Sequence, residues 1–300
     1  MALPSTSPAR DSTPAQSLER HLATSWEAHR RRYRSAFHDC QRNPTEKRVH
    51  RLRVSLRRLL AHLDALGAEA APIAARQTRR KLRSLLQATA AARDAQVQCR
   101  LFARCLRRDG SRERQNCARR LKARAGHHAA NLAHHLQAHP TRLKSFRFSD
   151  ILNPSRTGHE PRLHESVRRS CRRSLARLRL RLRAARGGDS AGLHQARLAV
   201  KEIRYVTEIL PAPGATWPGL GSLQALQSAL GELHDLDLLL QRLEKMASRH
   251  PRFAGWWRLR RRALQRRRAT LLASLPPLPS NLAKLLPGSP ARGKRHAPLL

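Results

Sequence analysis

His50, Arg53 and Arg57 stand at i, i+3 and i+7, and His194, Arg197 and Lys201 repeat that spacing, with Arg204 one turn further on. On a helix such positions share one face, so each set stacks cations along a ridge. Like charges so placed weaken an isolated helix by about 0.2–0.5 kcal/mol per pair. An anion laid along the ridge removes that cost. Arginine suits the task because its planar fork donates two hydrogen bonds to one phosphate and keeps its charge. The plain alternative for any single arginine is a solvated helix face. Solubilising charge does not explain the histidine that heads each triplet. The chemistry is therefore capture of a linear polyanion. The chain carries no P-loop, paired carboxylates or nucleophile–base set, so bond-making chemistry has no support and no enzyme is expected.

Further residues widen or support these ridges. Arg76, Arg80 and Arg83 fall at i, i+4 and i+7, and Arg168, Arg172 and Arg179 form a comparable row; both sets are candidate secondary contacts. Arg260, Arg261, Arg262 and Arg266 to Arg268 wrap too far round one helix to make a face and read as mostly solvated. Asp94 and Asp235 would repel a polyanion. Each either orients an arginine of the ridge through charge-assisted hydrogen bonds or caps a helix. His50 and His194 either pack between helices or donate to phosphate; a bound anion would raise their pKa, so binding would tighten as pH falls. His127, His128, His134, His135 and His139 lack a supporting carboxylate or thiol at helical spacing, and no metal or cofactor is expected. The string His159-Glu160-Pro161-Arg162-Leu163-His164 is one residue too long for a zinc-protease motif and holds a helix-breaking proline.

The chain as a whole points the same way. Its 300 residues carry 61 Lys and Arg, mostly Arg, against 20 Asp and Glu, a net charge of +41. Self-repulsion on that scale calls for a polyanionic partner. Hydrophobic residues at 40% are too many for a wholly disordered basic arm. No stretch is long and apolar enough to span a bilayer, and the opening residues lack the apolar core of a secretory signal. The five cysteines form no CxxC pair and read as reduced thiols of a cytoplasmic protein.

Helical period dominates between the ends. Leu52, Leu56, Leu59 and Leu63 recur at i, i+4, i+7 and i+11, and Leu198 is followed by an Ile203, Val206, Leu210 stripe. Strand alternation is nowhere sustained, so the fold class is all-α. Residues 1–16 read as a Ser/Thr/Pro-rich leader and 276–300 as a Pro-rich basic tail. Residues 17–275 form the helical region, divided near 140–160 into halves of about 17–145 and 160–275. The halves match internally. Residues 50–57 line up with 194–201, and Ala92-Arg93-Asp94 lines up with Leu233-His234-Asp235 at nearly the same offset. Two helical bundles related by a pseudo-twofold, with a basic groove or pore between them, are expected.

The sequence resembles one known family. Val-His-x-x-Arg-Val-x-x-Arg-Arg-Leu at 49–59, Leu-His-x-x-Arg-x-x-x-Lys-x-Ile-Arg-Tyr at 193–205, Ala-Arg-Asp-Ala-x-Val at 92–97 and Leu-Gly-Glu-Leu-His-Asp at 230–235 together look like the CHAD family, the conserved-histidine α-helical domain. Each motif alone is weak, but four in order are specific. The resemblance implies two related helical bundles around a basic groove or pore that binds inorganic polyphosphate without catalysis. It places anion contacts at His50, Arg53, Arg57 and Arg58 in the first half and at His194, Arg197, Lys201 and Arg204 in the second. It also makes residence on cytoplasmic polyphosphate granules an expectation. Leu60 and Glu202 stand where the family commonly has a further base, leaving each ridge a charge short. The alternating ExExK signature of the triphosphate-tunnel module that many relatives carry is absent. The runner-up partner is nucleic acid, which shares the charge requirement. It would call for stacking aromatics or a reading helix, and no aromatic interleaves with residues 50–58.

Overall fold

Leu, Ala and Arg are strong helix formers, and the turn signals that interrupt them set where helices stop. The computed structural model describes residues 14–65, 73–138, 159–210 and 219–277. Over them run α1 (Pro14–Arg42), α2 (Glu46–Ala65), α3 (Ile73–Ala88), α4 (Ala90–Cys105), α5 (Arg112–Ala138), α6 (His159–Ala184), α7 (Ser190–Ile209), α8 (Leu220–Arg249) and α9 (Pro251–Ala273). A single 3-10 turn, Ala185–Gly187, joins α6 to α7, and there is no strand among the described residues. The all-α fold is as expected. Most of the leader and the tail from residue 278 lie outside the described residues, as do the interruption at 139–158 and most of the break at 211–221; residues 14–16 already belong to α1.

Local chemistry explains the starts of the helices that matter most. Thr45 Oγ1 accepts from the Arg48 amide at 3.4 Å at the head of α2. Asp189 caps α7 by accepting from the Gly192 amide at 2.8 Å. A Cβ at position 192 would strike the Asp189 carboxylate, so glycine there lets the cap close. Gly188, at φ 71°, turns the chain just before it.

The apolar face of α2 is as its spacing requires: Leu52, Leu56 and Leu59 are fully buried. Each such leucine contributes about 1.5–3 kcal/mol by leaving water. On α7 the expectation needs correcting. Leu198 is 38% exposed, because it lies five residues from Ile203, about 140° round the helix, and Ala196, Ala199 and Val200 take the core instead. In the first half α1 packs on α2 and α4 on α5; in the second α6 packs on α7 and α8 on α9. Between the halves, α2 packs on α7 and α4 on α8. The helices that carry the matched motifs thus meet one another.

The last helix is largely as the sequence suggests, with Arg261, Arg262, Arg266 and Arg267 exposed. Arg260 donates to Asp109 at 2.8 Å, Arg261 pairs with Glu244 at 3.6 Å, and Arg268 binds Asp237 and the Gly188 carbonyl, the latter at 2.7 Å. Arg260 and Arg268 are therefore tied inward to buried carboxylates, and through Arg268 α9 clamps the turn that launches α7. Phe102, Phe253, Trp256 and Trp257 fill the core beneath it.

Candidate anion-binding site

Arg53 and Arg57 on α2 face Arg197 and Lys201 on α7, each pair one helical turn apart. Arg93 and Asp94 from α4 and His234 and Asp235 from α8 close the cluster. Arg197 lies 3.8 Å from Asp235. Both aspartates sit inside their helices, beyond the first turn, so the capping alternative falls. Asp235 braces Arg197, and Asp94 acts on both Arg53 and Arg197. Arg53 is held from behind as well, donating to the Leu86 carbonyl at 2.9 Å and to Thr89 Oγ1 at 2.7 Å. That contact pins α2 to the junction of α3 and α4.

Crowding of like charge leaves a mark on these groups. Burial, then Arg57, Arg197 and Arg53, push the Lys201 ammonium down to about 5, with Asp235 opposing. Burial, then Arg57, bring Arg53 down to about 10. The His234 imidazole falls to about 3 through burial, Arg197 and its neighbour His194, whose Nδ1 lies 3.3 Å from its own. His194 is lowered by burial, Arg197 and Lys201. His50 stands at the solvent edge, lowered by partial burial of its ring and by Arg93, Arg57 and Arg100. Glu46, in the first turn of α2, holds Arg93 at 2.9 Å and Arg100 at 2.7 Å. The site is thus short of negative charge.

Arg58 and Arg204 are placed elsewhere. Arg58 pairs with Glu208 at 2.8 Å and Arg204 with the same carboxylate at 2.6 Å. Arg58 is one residue past Arg57, about 100° round α2, and so meets Glu208 rather than the cluster. Arg204 also stacks over the buried ring of Tyr205, 4.6 Å from its centroid.

Arg57 and Lys201 lead from the cluster into a groove of about 430 Å³ between α2, α3, α6 and α7. Arg79, Arg83, Arg173 and Arg177 line it with them, against Asp64 and Glu202. Leu198, exposed on α7, lines it too. Of the expected secondary residues, Arg83 lines this groove, and Arg76 and Arg80 line an adjoining hollow together with Arg79 and Arg83. The α6 row is rotated away. Arg179 lines a separate apolar hollow with Leu193 and Leu272, Arg172 is exposed, Arg168 is half-buried, and none of the three lines the groove. Cys171, Ser174 and Leu178 turn inward and so aim Arg173 and Arg177 at the groove instead. Glu202, where a base was wanting, accepts from Ser174 and pairs with Arg177. It is a positioning carboxylate.

Sequence reasoning passed over Arg79, Arg93, Arg100, Arg173, Arg177 and His234. Arg93 and His234 were in view, each preceding its matched aspartate, and Arg100 follows Arg93 at i+7. Arg79 on α3 and Arg173 and Arg177 on α6 gave no signal of their own, because those helices carry basic residues most of the way round. Among the described residues no group of three His, Cys, Asp or Glu could hold a metal ion, and His139 lies outside them.

The family model of the CHAD domain matches residues 16–244. The chain belongs to the CHAD family. That family is associated with polyphosphate binding. The crystal structure of the CHAD domain from the plant Ricinus communis is similar at 21% identity and a TM-score of 0.54, over 89% of this chain and 90% of that one. PptA from Streptomyces chartreusis is similar at 16% identity and a TM-score of 0.60, over 86% of this chain and 98% of its own. At those identities the likeness concerns the CHAD fold alone. No curated protein matches the chain. Among the described residues no helix of this CHAD domain is long and apolar enough to cross a membrane.

Proposed function

We propose that this CHAD domain binds linear inorganic polyphosphate and holds it without chemical change. One observation carries the reading: Arg53, Arg57, Arg93, Arg197 and Lys201, drawn from both halves, converge and outnumber the carboxylates that oppose them, Asp94, Asp235 and the Glu46 that holds Arg93. A flexible chain with one negative charge per repeat relieves that excess along the whole cluster. Binding proceeds by counterion release, so log K falls linearly with log salt. Six to eight phosphate contacts give a slope of about −4 to −7, taking ~0.7 per charge for a flexible strand. Cytoplasmic residence on polyphosphate granules belongs to the same proposal.

Against the nucleic-acid alternative, Tyr205 beside the second ridge is buried and offers no stacking platform. The test is competition. A preformed complex is challenged with long-chain polyphosphate and with DNA or RNA at matched phosphate and about 0.3 M salt. Displacement by polyphosphate is expected, and displacement by nucleic acid alone overturns the proposal. Joint charge reversal of Arg53, Arg57, Arg197 and Lys201 should abolish retention while circular dichroism reports intact helices.

A further inference from the structure

A second cluster of cations lies away from this site, on α5 and α8, both of which pack on α4. Arg120, Arg124 and His128 follow one another at i, i+4 and i+8 on α5, and Arg242 and Arg249 stand at i and i+7 on α8. Each ridge is about 10–12 Å long at 1.5 Å per residue. The charges that act on Arg242 are those of Arg124 and Arg249. Its Nε is buried and has no hydrogen-bond partner. No carboxylate pairs with Arg120, Arg124, Arg242 or Arg249 among the described residues. The one acidic group close by, the Cys117 thiol, is pushed by burial to about 12 and stays uncharged. Arg124 is steadied by Gln98 at 3.2 Å, a neutral acceptor. Arg120 donates to His250 Nε2 at 2.7 Å, which leaves the ring proton on Nδ1. Beside Arg120 opens a hollow of about 780 Å³, lined also by Arg119, His250 and Phe253.

The two clusters are distinct. Gln98, which holds Arg124, sits about 140° round α4 from Arg93 and about 160° from Arg100, so α4 separates this surface from the central site. The central cluster holds Asp94 and Asp235, with Glu46 on Arg93 at its edge; no carboxylate pairs with the cations of this one among the described residues.

We propose that the α5–α8 cleft is a second anion site, gripping a short run of phosphates through Arg120, Arg124, Arg242 and Arg249. Its choice of ligand rests on the polyphosphate reading above; its existence rests on the unopposed cations. A chain long enough to reach both sites is held twice, and the second capture is intramolecular and correspondingly stronger. The site therefore favours long chains over short ones.

The test uses the full chain and tripolyphosphate, which is too short to bridge the sites. Calorimetry at low salt should count two tripolyphosphates per chain for the wild type. It should count one for Arg124→Gln/Arg242→Gln and one for Arg57→Gln/Lys201→Gln. With long-chain polyphosphate, Arg124→Gln/Arg242→Gln should flatten the salt slope by about 1.4, at ~0.7 per lost contact. Should the first double variant fail to fold, Arg120→Gln/Arg249→Gln removes two exposed cations of the same cleft and is read identically. Wild-type stoichiometry and slope in a folded cleft variant overturn the proposal and leave the central reading standing. One tripolyphosphate lost in the cleft variant, with no change in the central variant, supports the cleft and overturns the central reading.

Discussion

Binding of polyphosphate should draw protons from solution, and Lys201 is the group that makes this measurable. In the ligand-free protein its ammonium is held down to about 5 by burial and by Arg57, Arg197 and Arg53. At about pH 7.5 it is neutral, and charging it costs about 3 kcal/mol at 1.36 kcal/mol per pH unit. A phosphate run laid between α2 and α7 cancels the field of those arginines and restores the charge. The folded complex thus has the higher pKa, so a proton is taken up on binding and affinity falls as pH rises. From Lys201 alone the loss is about tenfold per pH unit between pH 6 and 8.5. His50 and His194, lowered for the same reason, add to uptake toward pH 6. Calorimetry in buffers of differing ionisation enthalpy reads the proton count directly. At about pH 7.5 the expected count is ~1 per occupied central site, falling to nearly zero for Lys201→Met. Zero uptake by a wild-type protein that still binds would refute the reasoning, as would undiminished uptake by Lys201→Met.

Three further outcomes follow from named contacts. His62 on α2 and His29 on α1 are buried against each other and lowered, chiefly by burial, to about 3 and about 4. The unfolded chain protonates near 6.5, so stability is full above that pH and drops by about 1.4 kcal/mol per pH unit for each histidine below it, until the folded values are reached. Thermal melts in phosphate-free buffer should show this, and a midpoint that is flat from about pH 7.5 to 4.5 would contradict it. Glu208→Gln leaves Arg58 and Arg204 half-buried without their shared carboxylate. It should cost about 1–3 kcal/mol in denaturant unfolding with little change in polyphosphate affinity; a large affinity loss in a folded variant would instead make these arginines ligand contacts. Arg83→Gln/Arg173→Gln should flatten the salt slope by about 1.4, whereas Arg172→Gln/Arg179→Gln should leave it unchanged. The reverse ranking would mean that the groove between α3 and α6 is not on the path of the polymer.

Helical period, turn residues and two matched ridges were enough to read the helical class, the buried stripe of α2 and the pairing of Arg53 and Arg57 with Arg197 and Lys201. Those properties repeat at short range along one chain, where spacing alone dictates which residues share a face. The orienting role of Asp235 became decidable only when Arg197 was seen 3.8 Å away. Arg58 and Arg204 carry the same charge as their neighbours; Glu208 pairs with Arg204 one turn away on α7, and only the packing of α7 on α2 brings Arg58 to the same carboxylate. The rotation of α6, which exchanges Arg172 and Arg179 for Arg173 and Arg177, is set by the inward-facing Cys171, Ser174 and Leu178. Sequence by itself determined that this chain makes helices bearing two matched cationic ridges, because charge and periodicity are local quantities. Which arginines face one another, which are neutralised by a distant carboxylate and which remain unopposed were decided by the packing of α2 on α7 and α4 on α8. Coulomb energy depends on distances between residues that lie far apart in the chain.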